Sequence, residues 1–412
     1  MTTADPSFGG HPDPAAAVPG GDDATRPERR ADKLLVASLL VVILLSGAVQ
    51  YFDIYMLAAV NVVLQLALLA KSGFRVSRAI GAAALMIYAY LFYSLLLHHP
   101  SDLIFIAFRF HDILTALLVL NYILVRKPDV GRTLEVTLMI LIVHGFINWL
   151  LVTFAFGLFS KASGIGSYKF LIFFGRAETA FGIHRSQGLF WEPGVYQIYL
   201  NVALHFFLFY AKRNMWAALS FVGLVLTLST TGVVLASLQL LVFLFGVKQK
   251  LSMKVLKIVI FLPFFLVYVG FAQTVVEDKL SGASKGSYMA RNFDTLNGIA
   301  VTLEHPWGIG FNPGTYQKFA RENTFNIDTP LNTDRGQTNG VLILAYSTGV
   351  VWAVIVLFAT FRQKIFPHYR VLFFFVLIGS MTTEPLFYSP FVWLFTLSGM
   401  MPIRLPGLGD RA

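Results

Sequence analysis

The residues best suited to chemistry lie in two polar segments of an otherwise apolar chain. The first segment ends in the sequence HRSQGLFWEPG (184–194), immediately before an apolar stretch. Its Glu192-Pro193 pair is typical of a helix start, because a carboxylate favours the positive end of the helix dipole and proline fits the first turn. That structural role leaves His184 and Arg185 unexplained. An arginine and a glutamate here could also bind an anionic head group and accept a proton. The residues alone leave both interpretations open.

The second polar segment carries Arg291 and two glycine-rich sequences, HPWGIGFNPG (305–314) and RGQTNGVL (335–342). Glycines and prolines in such sequences most simply make turns. Several other positive residues share the segment with Arg291, so its type alone assigns it no function. Any functional assignment depends on the order of the motifs around it.

Ionisable residues also interrupt one of the apolar stretches, where Arg109, His111 and Asp112 follow one another closely. Arg109 and Asp112 are three residues apart and therefore share a helix face. Ionisable groups inside a bilayer are costly and point to function by default. A buried structural ion pair and a place in a substrate cavity are both consistent with this pattern.

Two further polar positions have mainly structural explanations. His144 and Asn148 are four residues apart on one helix face, which predicts an interhelical hydrogen bond. Glu384-Pro385 lies between the last two apolar stretches and predicts a tight turn, from which Glu384 could line a cavity.

The elements that must position these residues are set by composition. The chain has 412 residues, of which 56% are hydrophobic and 13% charged, and its mean hydropathy is +0.67. Soluble domains are about 25% charged. This composition excludes a cytosolic enzyme, a disordered protein and a conventional nucleic-acid-binding protein. The chain has no cysteine, which excludes disulfides, zinc–thiolate sites and a cysteine nucleophile.

Apolar stretches near the ~20 residues that a spanning helix needs follow one another from Leu34 onwards. They predict an all-α, polytopic integral membrane protein, because backbone groups in lipid must be satisfied within each segment. We predict a membrane domain over 34–403, a disordered cytoplasmic tail over 1–33 and a cytoplasmic C-terminal tail over 404–412. The twelve predicted spans are 34–50, 54–70, 79–97, 103–125, 134–156, 194–211, 214–230, 232–247, 255–273, 339–360, 370–384 and 386–402.

The count of twelve depends on the uncharged run from Trp216 to Val247. As one helix it would be about 48 Å long, against a hydrocarbon core of about 30 Å. Two helices joined at Ser229-Thr230-Thr231-Gly232 would fit, and would place the basic residues at both ends on the same side. Twelve helices with both termini inside put most lysines and arginines on the cytoplasmic side, as the positive-inside rule expects. Two long loops, about 157–193 and 274–338, then lie on the outer side of the membrane.

The order of the motifs resembles the O-antigen polymerase and O-antigen ligase superfamily of bacterial membrane glycosyltransferases. Arg-x-x-Gly-x-Phe-x-Glu-Pro opens one helix, and a Ser-Thr-Thr-Gly turn follows it. Arg291 then precedes a Pro-Trp-Gly-Ile-Gly segment, and Asn339-x-x-Leu342 comes next, with Gly349 beyond it. The resemblance covers roughly residues 180–355.

The resemblance implies a metal-independent, inverting glycosyl transfer at the periplasmic face of the inner membrane, without a cofactor. The donor would be a glycan on undecaprenyl pyrophosphate. Arg185 and Arg291 match the arginines that hold the pyrophosphate in such families, and guanidinium forks suit phosphate well. Glu192 is the first candidate for the base, and His184 and His305 are weaker ones. The residues expected to contact substrate are His184, Gln187, His305, Thr338 and Asn339.

The resemblance also separates the possible activities. The ligase branch carries a histidine at the position of Thr338, so the sequence favours a polymerase of O-antigen, capsule or exopolysaccharide. The acceptor would be another lipid-linked repeat unit, and a chain-length regulator is a possible partner. An O-antigen ligase acting on lipid A-core is the first alternative. A transporter or flippase of lipid-linked oligosaccharide is the second, supported by Arg109, His111 and Asp112.

Overall fold

The computed structural model of the chain describes residues 30–48, 54–98, 103–162, 167–176, 179–180, 182–246, 285–322 and 337–401. It also describes the isolated positions 255, 269–270, 273–274 and 277. The C-terminal tail, nearly all of the N-terminal tail and most of the predicted span 255–273 lie outside these residues.

The described part of the chain is mostly helical. Its helices are α1 (Lys33–Leu45), α2 (Ile54–Lys71), α3 (Arg78–His98), α4 (Leu103–Arg126), α5 (Val130–Phe154), α6 (Pro193–Phe209), α7 (Asn214–Leu226), α8 (Thr230–Gly246), α9 (Lys285–Glu304), α10 (Pro313–Glu322), α11 (Gly340–Thr348), α12 (Val350–Phe361), α13 (Arg370–Met381) and α14 (Pro390–Met400).

Three helices, α3, α4 and α5, are long and apolar enough to cross a membrane. Most of the other apolar helices are shorter than the spans predicted for them. Large apolar side chains such as Val63, Leu66 and Leu85 are exposed on α2 and α3. Contiguous exposed apolar surface is rare on soluble monomers, so these faces fit a lipid environment.

The run from Trp216 to Val247 forms two helices, α7 and α8, as its length predicted. The turn between them occupies Thr227 to Ser229, about two residues earlier than the predicted centre. The prediction of one continuous helix over 339–360 is wrong, since α11 ends at Thr348 and α12 begins at Val350. Gly349 separates them with a φ of 84°, a left-handed conformation that interrupts the helix.

Helix α6 lies at the centre of the molecule. All of its residues are buried, and it packs against α5, α7, α8 and α13. A helix that is enclosed on every side is held by packing rather than by its own propensity. Packing against the surrounding helices therefore fixes the position of the start of α6 at Pro193.

The first polar segment contains short strands, which the all-α prediction did not include. Strands β1 (Ser160–Lys161), β2 (Ser167–Phe170) and β3 (Phe173–Arg176) form an antiparallel sheet in that order, and β4 (Thr179–Ala180) pairs with β5 (Ile183–His184).

Helix α5 holds the first sheet in place through two polar side chains. The amide of Asn148 donates to the backbone oxygen of Phe174 at 2.9 Å and accepts from its nitrogen at 2.8 Å. Nε2 of His144 lies 3.1 Å from the backbone oxygen of Ile172. The predicted interhelical hydrogen bond is therefore wrong, because both side chains bind the sheet.

The second polar segment folds as helices α9 and α10, and the chain between them pairs with the break at Gly349. The nitrogen of Ile309 donates to the oxygen of Tyr346 at 2.8 Å, and that of Val350 donates to Pro306 at 2.9 Å. Gly308 has a φ of 91°, and a Cβ on it would lie 2.8 Å from the nitrogen of Gly349. Only glycine allows this close approach of two backbones.

Candidate functional site

Arg185 is positioned by the turn between α7 and α8. Its Nε donates to the backbone oxygen of Thr227 at 3.0 Å, and the nitrogen of Ser186 donates to Leu226 at 2.8 Å. Burial lowers the pKa of the Arg185 guanidinium, which still stays protonated because its ordinary value lies far above neutrality. The first polar segment and the turn between α7 and α8 thus together fix the position of the Arg185 guanidinium.

Arg291 projects from α9 to a position between two carboxylates. Its Nη2 lies 3.8 Å from Oε1 of Glu192 and 3.8 Å from Oε1 of Glu384. The charges of Glu192, Glu384 and Arg291 all act on Arg185. We call these four residues the arginine–glutamate cluster.

Glu192 occupies the N-cap position of α6 but makes no side-chain capping bond there. Its backbone is extended, and Pro193 begins the helix as the sequence predicted. The side chain is directed towards Arg291 and is 37% exposed, so it is open to a ligand. Glu192 therefore both marks the start of a helix and belongs to a charged site, so the two interpretations of the sequence are compatible.

Glu384 is the buried member of the cluster, with a side chain that is only 3% exposed. Burial and the charge of Glu192 raise its pKa from 4.5 to about 8, against the opposing effect of Arg291 and Arg185. Among the described residues, Oε1 of Glu384 has no hydrogen-bond partner. Gly194 makes room for it, since a Cβ there would lie 1.9 Å from Oε1.

Helix α9 is anchored beside the cluster by Asp294, one turn after Arg291. Thr338 donates to Oδ2 of Asp294 through its hydroxyl at 2.8 Å and through its nitrogen at 3.3 Å. Nε2 of Gln337 donates to the backbone oxygen of Asp294 and to the hydroxyl of Tyr316. These bonds tie α9 to the start of α11.

Thr338 and Asn339, predicted to contact substrate, both have structural partners in the protein. The side chain of Asn339 caps α11 by accepting from the nitrogens of Val341 and Leu342, both at 3.1 Å. Thr338 is bound to Asp294 as described. The structure places both at the base of α11, where they orient the helix.

The contacts described for the remaining predicted site residues are with residues outside the cluster. His184 stacks on Phe156, with ring centroids 5.6 Å apart. His305 packs on Phe319 at 4.2 Å, between α9 and α10. Gln187 is buried in the turn before α6, where its backbone oxygen accepts from the backbone nitrogen of Phe190.

The predicted ion pair of α4 is present, as a separate cluster. Arg109 and Asp112 are 3.5 Å apart, and Asp112 is 3.6 Å from Nδ1 of His111. The Arg109 guanidinium lies over the Tyr388 ring, 4.7 Å from its centroid. Arg109, Tyr388 and Phe311 are among the residues that line a small cavity.

The sequence missed the part that Asp294 and the α7–α8 turn play in positioning the two arginines. It raised Glu384 only as a possible cavity residue. The signal available for Glu384 was its position, an acidic residue followed by proline between two apolar stretches. Asp294 shares a helix face with Arg291 at the i+3 spacing, a pattern too common to single it out.

The arrangement brings two guanidinium groups and two carboxylates of unequal exposure into one place from three distant parts of the chain. The arginines suit a phosphate or pyrophosphate, because a planar fork binds such oxygens bidentately. The exposed Glu192 can accept a proton, and the buried Glu384 can hold one. Comparisons with protein-family models, with curated proteins and with solved structures find no match to this chain.

Proposed function

We propose that the protein is a polysaccharide polymerase of the bacterial inner membrane. It transfers a growing O-antigen, capsule or exopolysaccharide chain from undecaprenyl pyrophosphate to a lipid-linked repeat unit. The observation that carries the proposal is the position of Arg291 between Glu192 and Glu384, with Arg185 near enough for the charges of all three to act on it. The motif order resembling O-antigen polymerases and ligases supports it independently.

In this proposal the two arginines hold the donor pyrophosphate and stabilise the negative charge that develops as it departs. Glu192 accepts the proton of the acceptor hydroxyl, because it is the more exposed carboxylate and lies beside Arg291. The new glycosidic bond forms as the bond from the anomeric carbon to the phosphate oxygen breaks. A pyrophosphate leaving group is already activated, so the reaction is assigned no metal or cofactor.

The proposal places the cluster on the periplasmic side of a twelve-span protein with both termini in the cytoplasm. Residues that flank α2 and α3, including Lys71, Arg75 and Arg78, would then lie on the cytoplasmic side. The three long apolar helices and the lipid-compatible faces of α2 and α3 support a membrane location.

The direct test is reconstitution of the purified protein into liposomes with an undecaprenyl-pyrophosphate-linked repeat unit, followed by gel analysis of the glycans. A polymerase gives a ladder of products that differ by one repeat unit. A single product on added lipid A-core, without a ladder, would instead assign ligase activity. Movement of the lipid-linked unit across the bilayer without any new glycosidic bond would contradict the proposal and favour transport.

A further inference from the structure

Glu384 differs from the other members of the arginine–glutamate cluster in its surroundings. Its side chain is almost completely buried, while those of Glu192 and Arg291 are about one-third exposed. The charged groups that face it are Glu192 at the start of α6, Arg291 on α9 and Arg185 from the first polar segment. None of the described contacts gives Oε1 a hydrogen bond. A buried polar atom without a partner calls for an explanation in terms of function or of a missing ligand.

The distance to Arg291 leaves this carboxyl group without a direct hydrogen bond. The separation of 3.8 Å exceeds the range of an N–H···O bond, and Glu192 lies at the same distance from the same Nη2. Two carboxylates that share one guanidinium repel each other, so the less hydrated one retains a proton. Glu384 is the less hydrated one.

A neutral carboxylic acid beside two arginines has one hydrogen-bond donor to offer an anion. An ionised carboxylate at the same place would repel that anion, and its desolvation would not be offset. Resting on the proposed function, we propose that Glu384 is a third binding residue for the donor pyrophosphate, acting as a neutral acid that donates its O–H to a phosphate oxygen. Arg185 and Arg291 supply the charge, and Glu384 supplies a donor that does not need to be charged.

This role makes donor binding depend on a proton. The raised pKa of Glu384, about 8, means that the acid is neutral below that pH and ionised above it. The affinity is then constant below about pH 8 and falls above it, approaching tenfold for each further unit of pH, because one proton must be taken up on binding. A terminal phosphate titrates near about pH 6 and is already ionised throughout this range.

The test measures binding of undecaprenyl pyrophosphate to the full-length protein in nanodiscs between about pH 7 and about pH 9.5. The wild type is expected to lose about tenfold to thirtyfold in affinity over this range. Glu384→Gln keeps a neutral donor of the same size, so its affinity at pH 7 stays within about threefold of the wild type and its pH dependence disappears. Glu192→Gln is the comparison: it keeps a fall in affinity with rising pH, but the fall begins at a lower pH than in the wild type, because the charge of Glu192 helps to raise the pKa of Glu384.

The outcomes separate this inference from the proposed function. If Arg185→Ala and Arg291→Ala bind the lipid as the wild type does, the proposed pyrophosphate site is wrong. If both lose binding but Glu384→Gln retains the wild-type pH dependence, the site stands and the role of Glu384 is overturned. Loss of binding by folded Glu384→Gln at every pH would also overturn it, because an amide can replace a neutral donor.

Discussion

At the scale of single residues, the cluster separates two glutamates that the sequence could not tell apart by type. Glu192 stands at the N-cap position of an enclosed helix and stays open to ligands, whereas Glu384 is enclosed against Gly194. The difference lies in burial, which depends on packing between elements that are distant in sequence. Different environments for two carboxylates are the usual basis for assigning them different roles.

Burial of Glu384 has a consequence for stability. A carboxyl group whose pKa is raised from 4.5 to about 8 binds a proton in the folded state that the unfolded state has already lost in that interval. The folded protein therefore loses stability as the pH rises from about 4.5 to about 8. We expect Glu384→Gln to raise the midpoint of thermal unfolding at pH 8 by a few degrees.

The measurement is thermal unfolding in detergent at pH 5 and pH 8. Position 384 is neutral in both folded proteins at pH 5, and pH 5 lies near the low end of the interval from 4.5 to about 8, so the difference between them should be much smaller there than at pH 8. Glu192→Gln is the comparison and should show a smaller gain at pH 8, because it removes the charge of Glu192 but leaves the burial of Glu384, the larger cause of the raised pKa, in place. An equal gain at both pH values would contradict the assignment of a raised pKa to Glu384.

The individual candidates Arg185, Glu192 and Arg291 could be proposed from the sequence, because each belongs to an ordered series of motifs. Their meeting around Glu384 could not, since it depends on the packing of α9 and of the α13–α14 turn. Thr338 and Asn339 were chosen from the same motif series. Their hydrogen bonds to Asp294 and to the start of α11 show that a motif position can also serve the fold.

At the scale of elements, the described residues of the second polar segment are fixed to α11 at two places. Asp294 joins α9 to the start of α11, and the chain around Gly308 pairs with the end of α11. Arg291 stands on the helix that these contacts hold. The sequence predicted turns in this segment. It could not predict that the chain around Gly308 pairs with a break in a helix, because that contact joins two distant backbones.

The pairing at the helix break makes Gly349 sensitive to substitution. A Cβ there would lie 2.8 Å from the backbone carbon of Trp307, and the φ of 84° is unfavourable for any other residue. We expect Gly349→Ala to destabilise the protein by about 1–3 kcal/mol and to lower polymerisation through displacement of α9.

Thermal unfolding and the glycan ladder would both be recorded for this variant. Gly81→Ala is the matched control, because Gly81 lies in α3 with open space around it and should tolerate a methyl group. A Gly349→Ala protein as stable as Gly81→Ala would show that the pairing contributes little.

At the scale of the whole molecule, the proposed function requires the cluster and the basic helix ends to lie on opposite sides of the membrane. The mostly helical character and the hairpin of α7 and α8 could be predicted from hydropathy and length. The interruption at Gly349 and the short strands could not, because hydropathy reports lipid contact and not the pairing of backbones. Charge asymmetry predicts the sidedness, and it can be tested directly in this chain.

The absence of cysteine allows single reporter cysteines to be introduced without background. Lys318→Cys lies on α10 and Lys71→Cys at the end of α2, and both positions are exposed. In intact spheroplasts, a membrane-impermeant maleimide should label position 318 fully and position 71 only after permeabilisation. Labelling of position 71 in intact spheroplasts would contradict the proposed topology.

The most direct test of the central claim is the reconstituted polymerisation assay with variants of the two arginines at matched protein levels. Arg185→Ala and Arg291→Ala should each reduce the ladder by at least about a hundredfold, since each removes a charge from the leaving-group site. Lys318→Ala removes an exposed cation from the same polar segment as Arg291 and should leave the ladder unchanged. A normal ladder from either arginine variant would contradict the claim that Arg185 and Arg291 form one pyrophosphate site.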